Sequence, residues 1–217
     1  MDSNNYVITI GRMPGSGGTT LGKEIARAFG FQYIDKEVLV KAAERLERPQ
    51  EELRDMDEKT PSIWSILART AAYEVPYVKN EWYLPTSDQL FKTQTDIMKE
   101  AAQEGPCVIL GRCGSYLFRN HAKHISIFLQ ADTDARLDRL ERRFGTGKSK
   151  RELSAFLEKT DRDRAIYYNK YTGKKWLDLR GYEFVLDTTN LTDEQVKSIV
   201  FHYITAKFPE LSVKLDP

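Results

Sequence analysis

NYVITIGRMPGSGGTTLGKEIARAF, residues 5–29, decides the fold. Residues 5–10 (NYVITI) are rich in β-branched residues and predict a short strand. The run RMPGSGG, residues 12–18, predicts a tight glycine-rich turn. Residues 19–29 place Leu21, Ile25, Ala28 and Phe29 on one helical face, and Gly30 is positioned to end that helix. Strand, glycine turn and helix in this order make a phosphate cradle. Glycines let backbone N–H groups converge on an anion, and the helix N-terminus adds partial positive charge. A threonine hydroxyl at the helix start, Thr19 or Thr20, can complete a Mg²⁺ shell. The strict pattern G-x-x-x-x-G-K-[ST] is broken, however. Counting back from Thr19, the lysine position holds Gly18 and the leading glycine position holds Arg12.

Outward from this stretch, strands and helices alternate. Residues 31–35 (FQYID), 107–111 (CVILG), 124–130 (HISIFLQ) and 182–188 (YEFVLDT) predict four further strands. Helical periodicity is predicted for residues 36–46, 87–104, 133–144 and from Ser149 to about 171. A last helix is capped by Thr192, with Val196, Ile199, Val200 and Tyr203 facing inward. Leu90, Ile97 and Met98 are core candidates of the helix over 87–104. This alternation implies right-handed βαβ units and a mostly parallel sheet. The expectation is one α/β domain over residues 1–217, with residues 50–106 as a helical insert broken by Pro61, Pro76 and Pro85.

Composition narrows the function classes. Thirty-three Lys and Arg against 32 Asp and Glu leave a net charge of +1, which removes the usual electrostatic case for nucleic-acid binding. Cys107 and Cys113 form no CxxC pair, and no His/Cys cluster has metal-ligand spacing. The opening MDSNNYVITI has neither a basic start nor a long apolar run, and no stretch approaches the roughly 18 apolar residues of a membrane span. A reduced, cytoplasmic protein that does not engage membranes is expected.

In an open α/β sheet, ligands bind beyond the carboxyl ends of the strands. There the sequence puts the glycine turn, Asp35, Gly111 with Arg112, and Asp187–Thr189. A basic stretch over 136–151 carries seven Lys and Arg against two acidic residues, and Lys159–Tyr168 adds Arg162 and Arg164. Phosphoryl transfer needs several cations around the moving group, often on a segment that closes over it. A charged helix is equally well a solvated face, and Arg136 and Arg143 are read that way. His124, at the start of a buried strand, is read as structural. Trp64, Trp82 and Trp176 are read as core or interface residues, with base stacking in an acceptor pocket open for Trp82 and Tyr83.

ITIGRMPGSGGTTLGKEIA, FQYIDKEVL, CVILGRCGSYLF, ISIFLQADTDARLDRL, EKTDRDRAIYYNKYTGKKW and YEFVLDTTNLTDEQV occur in one order over residues 7–196. Together they resemble the cytidylate kinase-like family of nucleoside monophosphate kinases. The resemblance implies a P-loop NTPase fold with a five-stranded parallel sheet, a helical acceptor-site insert and a lid over about 139–170. It implies transfer of phosphate from ATP, with Mg²⁺, to a nucleoside monophosphate. By position, Pro14, Gly15, Ser16, Gly17, Gly18, Thr19 and Thr20 would cradle ATP, with Thr19 toward the metal. Asp35 and Arg112 would hold the acceptor. Arg139, Arg142, Arg162 and Arg164 match lid arginines, and Asp187–Thr189 would lie near the adenine.

The family's cytidylate kinases carry lysine where Gly18 stands, whereas the cytidylate kinase-like branch commonly pairs GSGG with an arginine at the start of the loop. Arg12 is the nearest candidate replacement for the lysine. No matched set of residues for reading cytosine is visible. Two alternatives stay open: a nucleotide-binding regulatory protein without turnover, and a kinase of another small acceptor.

Overall fold

The computed structural model describes residues 5–35, 37–47, 87–144 and 149–211. Five strands form one parallel sheet: β1 (Val7–Arg12), β2 (Gln32–Ile34), β3 (Cys107–Leu110), β4 (His124–Gln130) and β5 (Phe184–Asp187). Their order across the sheet is β2-β3-β1-β4-β5, and every pairing is parallel. β1 is central and covered on both faces, so VITI is buried without alternation. The one polar side chain within VITI, Thr9, is satisfied by the His124 ring, with Oγ1 2.8 Å from Nε2.

Helices cover both faces. α1 (Gly18–Phe29) and α7 (Asp193–Lys207) pack on one side, through Leu21, Ile25, Phe29, Val196, Val200 and Ile204. α2 (Glu37–Arg45) and α3 (Ser87–Glu104) pack on the other, through Val38, Leu39, Leu90, Ile97 and Met98. A short α4 (Gly114–Leu117) follows β3. α5 (Thr133–Phe144) and α6 (Lys150–Thr172) carry the basic stretches.

Local signals set most boundaries. Gly30 ends α1 in the left-handed region at φ 70°. Ser149 with Glu152, and Thr192 with Gln195, form capping boxes that start α6 and α7. One inward assignment is corrected. Ile199 is 38% exposed, and Ile204 is fully buried in its place. The sheet-facing stripe of α7 runs Val196–Val200–Ile204 at strict i,i+4 spacing, which rotates Ile199 outward. Most of the insert, including Trp64, Trp82 and Tyr83, and the glycine turn over 145–148 lie outside the described residues. No described helix is long and apolar enough to cross a membrane.

His124 makes the first prediction. Burial pulls its pKa from the ordinary 6.5 down to about 4; Glu183 opposes this shift, while His121 and Lys207 add to it. Between those two pH values the unfolded chain binds a proton that the folded chain does not. Stability is therefore lost as pH falls from about 6.5 toward 4, by roughly 3 kcal/mol at full extent. The thermal midpoint should drop across that window and do so less steeply in His124→Gln. An unchanged slope in the variant would assign the loss to carboxylates.

Candidate active site

The chain winds from β1 outward to β2 and back to β3, then crosses β1 to reach β4 and β5. The crevice beyond the carboxyl ends therefore opens beside β1. The β1–α1 loop turns there through Gly15 and Gly17, at φ 81° and 89°. Both values lie in the region that a side chain disfavours. A Cβ on Gly15 would also come within 2.8 Å of the Arg136 carbonyl oxygen, so α5 lies directly on the loop.

Donors from the loop itself and from neighbouring elements hold the loop by its carbonyls. Ser16 Oγ donates to the Met13 carbonyl at 2.8 Å, Arg136 Nε to Pro14 at 2.8 Å and Thr188 Oγ1 to Ser16 at 3.1 Å. The amides behave differently. α1 has no side-chain cap and no acid in its first turn. Among the described backbone bonds, none takes the N–H groups of Gly17, Gly18, Thr19 or Thr20. Ser16, just before these four donors, is buried, and Thr19 and Thr20 among them are half-buried. The loop thus has its acceptors filled and its donors open, the arrangement a polyanion requires.

Beside the loop lies an open hollow. Arg12, Arg112 and Arg164 line it, with Tyr167, Tyr168 and Trp176 among its aromatic walls. Arg112 arrives by an unusual route. Gly111, Arg112 and Cys113 are all left-handed, at φ 75°, 49° and 58°. For the two that are not glycine this costs on the order of 1–3 kcal/mol each and marks a constrained site. The reversal buries Arg112 to 6% exposure and sets its Nη1 3.5 Å from Asp35 Oδ1. The two residues meet because β2 and β3 are neighbours in register, Ile34 opposite Ile109. Arg164 reaches in from α6 and donates from Nη1 to the Arg12 carbonyl at 2.8 Å. Below the hollow, Tyr182 and Trp176 pack on Phe128, with ring centroids 4.7 and 5.6 Å away. Gly11 is needed for that packing, since a Cβ there would lie 2.8 Å from the Phe128 ring.

The arginines matched to a lid divide. Arg164 lines the hollow, while Arg162 is exposed on α6 outside it. Arg139 spends its guanidinium on the Thr188 carbonyl and hydroxyl and on Leu191 O at 3.1 Å, with Gly15 O at 3.4 Å. It therefore ties the segment after β5 to the glycine loop. Arg142 is exposed, its Nε turned to Asp138 O at 3.3 Å. Asp187 caps its own turn, accepting from the Thr189 amide at 2.9 Å.

Arg136 overturns its reading as a solvated residue. Its side chain is 5% exposed, bonded to Pro14 O and ion-paired to Asp161 Oδ2 at 2.6 Å. Burial raises the Asp161 carboxyl above its usual range, although Arg136 and Arg164 pull it back. One signal could have exposed this role. Arg136 stands in the first turn of the helix after β4, and in a parallel sheet that turn lands at the same edge as the loop.

The profile of the cytidylate kinase-like family matches residues 7–190. The chain belongs to the cytidylate kinase-like family. A relative named cytidylate kinase, from Methanopyrus kandleri, is 24% identical over 209 residues, covering 92% of this chain and 93% of its own. A crystal structure of an uncharacterized protein from Eubacterium ventriosum superposes with TM-score 0.67 at 22% identity, covering 93% of this chain and 99% of its own. A gluconokinase from Sinorhizobium meliloti superposes with TM-score 0.56 at 17% identity, covering 95% of each. The architecture this family member shares with such structures is the P-loop kinase fold built on a five-stranded parallel sheet.

Proposed function

We propose that this chain is a phosphotransferase that moves the γ-phosphoryl group of ATP to a nucleoside monophosphate of cytidylate type. One observation carries the reading. A loop with open amide donors adjoins a hollow that holds three arginines. A binder of ATP alone needs the first feature and not the second.

In this reading the amides of Gly17 to Thr20 take the donor phosphates. Arg112 and Arg164 take the acceptor phosphate, since guanidinium groups suit bidentate phosphate contact and stay charged. Asp35 holds Arg112 in place. Tyr167, Tyr168 and Trp176 give the acceptor an aromatic wall. Thr19, in the first turn of α1, is the residue that would hold Mg²⁺, which when bound neutralises charge on the β- and γ-phosphates. An oxygen of the acceptor phosphate attacks the γ-phosphorus. The bond to the β–γ bridging oxygen breaks, and ADP leaves with the electron pair. A phosphate dianion carries no proton on the attacking oxygen, so the step needs no general base. Arg142 and Arg162 are exposed on α5 and α6, the helices of the lid in this proposal.

The glycine at position 18 favours a second reading, ATP binding without transfer. Incubating the purified chain with ATP and Mg²⁺ against CMP, dCMP, UMP, AMP and small hydroxyl acceptors separates the two. ADP release that depends on a monophosphate is expected. Tight ATP binding with no acceptor-dependent ADP would establish the second reading, and release only with a hydroxyl compound would reassign the acceptor.

A further inference from the structure

Gly18 stands where a phosphate-binding lysine would begin, and Arg12 fills the space in front of it. A Cβ built on Gly18 would lie 2.8 Å from Arg12 Cβ and 2.9 Å from its Cγ. Gly18 is not in the left-handed region, so no backbone angle demands glycine there. What demands it is the passage of the Arg12 side chain. The two residues face each other across the loop, Arg12 as the last residue of β1 and Gly18 as the first of α1. Arg12 forms no ion pair with a described residue. It lines the hollow with Arg112 and Arg164, and Arg164 fixes its carbonyl. One side chain thus packs its stem on Gly18 of the donor loop and also lines the acceptor hollow.

We propose that Arg12 is a catalytic residue that brings the missing positive charge to the terminal phosphates of ATP from the strand side of the loop, and that Gly18 is the clearance it needs. The pair is one exchanged unit: the cation has moved from the helix start to the strand end, and glycine has taken the vacated position. The inference rests on the phosphotransferase reading. A lysine at position 18 would approach the phosphates from the helix side. Arg12 approaches from the strand side, where its planar fork can contact the terminal phosphate oxygens of the donor. Negative charge gathers there during transfer.

Calorimetric titration with ATP and with AMP, acceptor-dependent ADP release and thermal unfolding test it together. Arg12→Gln should lower kcat by roughly 10²-fold or more. It should also weaken ATP binding about tenfold or more, as for a lost charge-assisted contact, and leave AMP affinity and the thermal midpoint near the parent's. Gly18→Ala should imitate it, because the added methyl displaces the Arg12 stem. In Arg12→Gly the close contacts of that methyl with the Arg12 stem are gone, so Arg12→Gly/Gly18→Ala should lose no more than Arg12→Gly alone. Parental turnover and ATP affinity in Arg12→Gln would overturn the assignment. So would losses from Arg12→Gly and Gly18→Ala that multiply in the double variant. A wild-type chain that phosphorylates no acceptor would defeat the activity reading alone, because the ATP-against-AMP comparison still decides whether Arg12 reaches the terminal phosphates.

Discussion

Replacing Arg112 or Arg164 by glutamine should lower kcat by roughly 10²-fold or more, the usual cost of losing a transition-state donor. Replacing Arg162 the same way should cost less than tenfold. The three residues carry the same charge, and two of them sit in one short motif. They differ in where they point: Arg112 and Arg164 line the hollow beside the glycine loop, and Arg162 stands exposed outside it. Arg112 is the stronger case because the structure spends strain on it. Two non-glycine residues are held left-handed to bury its guanidinium against Asp35. Glutamine keeps the length of the stem and removes the fork. Steady-state ADP release at saturating ATP and acceptor measures the effect, and circular dichroism confirms the fold. Equal 10²-fold losses at Arg162 and Arg164 would show that α6 turns to bring Arg162 inward during turnover. Parental rates in both Arg112→Gln and Arg164→Gln would remove the hollow from the reaction.

The second large effect concerns Arg136, which touches the loop from behind. Arg136→Ala deletes the bond to Pro14 O and leaves Asp161 without its nearest cation. Breaking a well-buried ion pair on one side costs about 3–5 kcal/mol. With Asp161 still 24% exposed, about 3 kcal/mol is the expectation. For a chain of this size that lowers the thermal midpoint by roughly 6–12 °C. The pH dependence has a definite sign. Burial already raises the Asp161 carboxyl, and removing Arg136 raises it further. A group whose folded pKa lies above its unfolded one binds more protons when folded. The deficit of the variant is therefore largest at neutral pH and shrinks as pH falls into the range where Asp161 takes up a proton. Arg136→Met/Asp161→Leu separates charge from anchorage. It should recover most of the stability, since apolar replacement of a buried pair is often neutral. ATP affinity should stay low, because Pro14 O still lacks its donor. Full recovery of both would confine Arg136 to the ion pair.

The strand, turn and helix of the first thirty residues were legible because they are local. Strand period, glycine turn and helix face follow from residue types a few positions apart, and the capping boxes at Ser149 and Thr192 are written within four residues. Alternation of elements implied a parallel sheet, and the chain forms one. Asp35 and Arg112 were legible as separate strand-end residues. Their pairing was not, because it depends on β2 lying beside β3.

Strand order decided the rest. Arg136 belongs to a charged helix, and charge alone reads as solvent-facing. It is buried because β4 lies beside β1, which drops the first turn of α5 onto the glycine loop. Arg162 and Arg164 are separated by about 200° around α6. Which of them enters the hollow is set by how α6 seats itself, with Tyr171 stacked on Phe91 of α3 at 3.9 Å, and no periodicity in the basic stretch records that rotation. Sequence by itself determined which residues could meet a phosphate: the glycine loop, the strand-end acid and the arginines. Tertiary structure decided which of them do stand together, because the convergence of side chains from distant segments follows from sheet order and helix rotation, and both are settled by long-range packing.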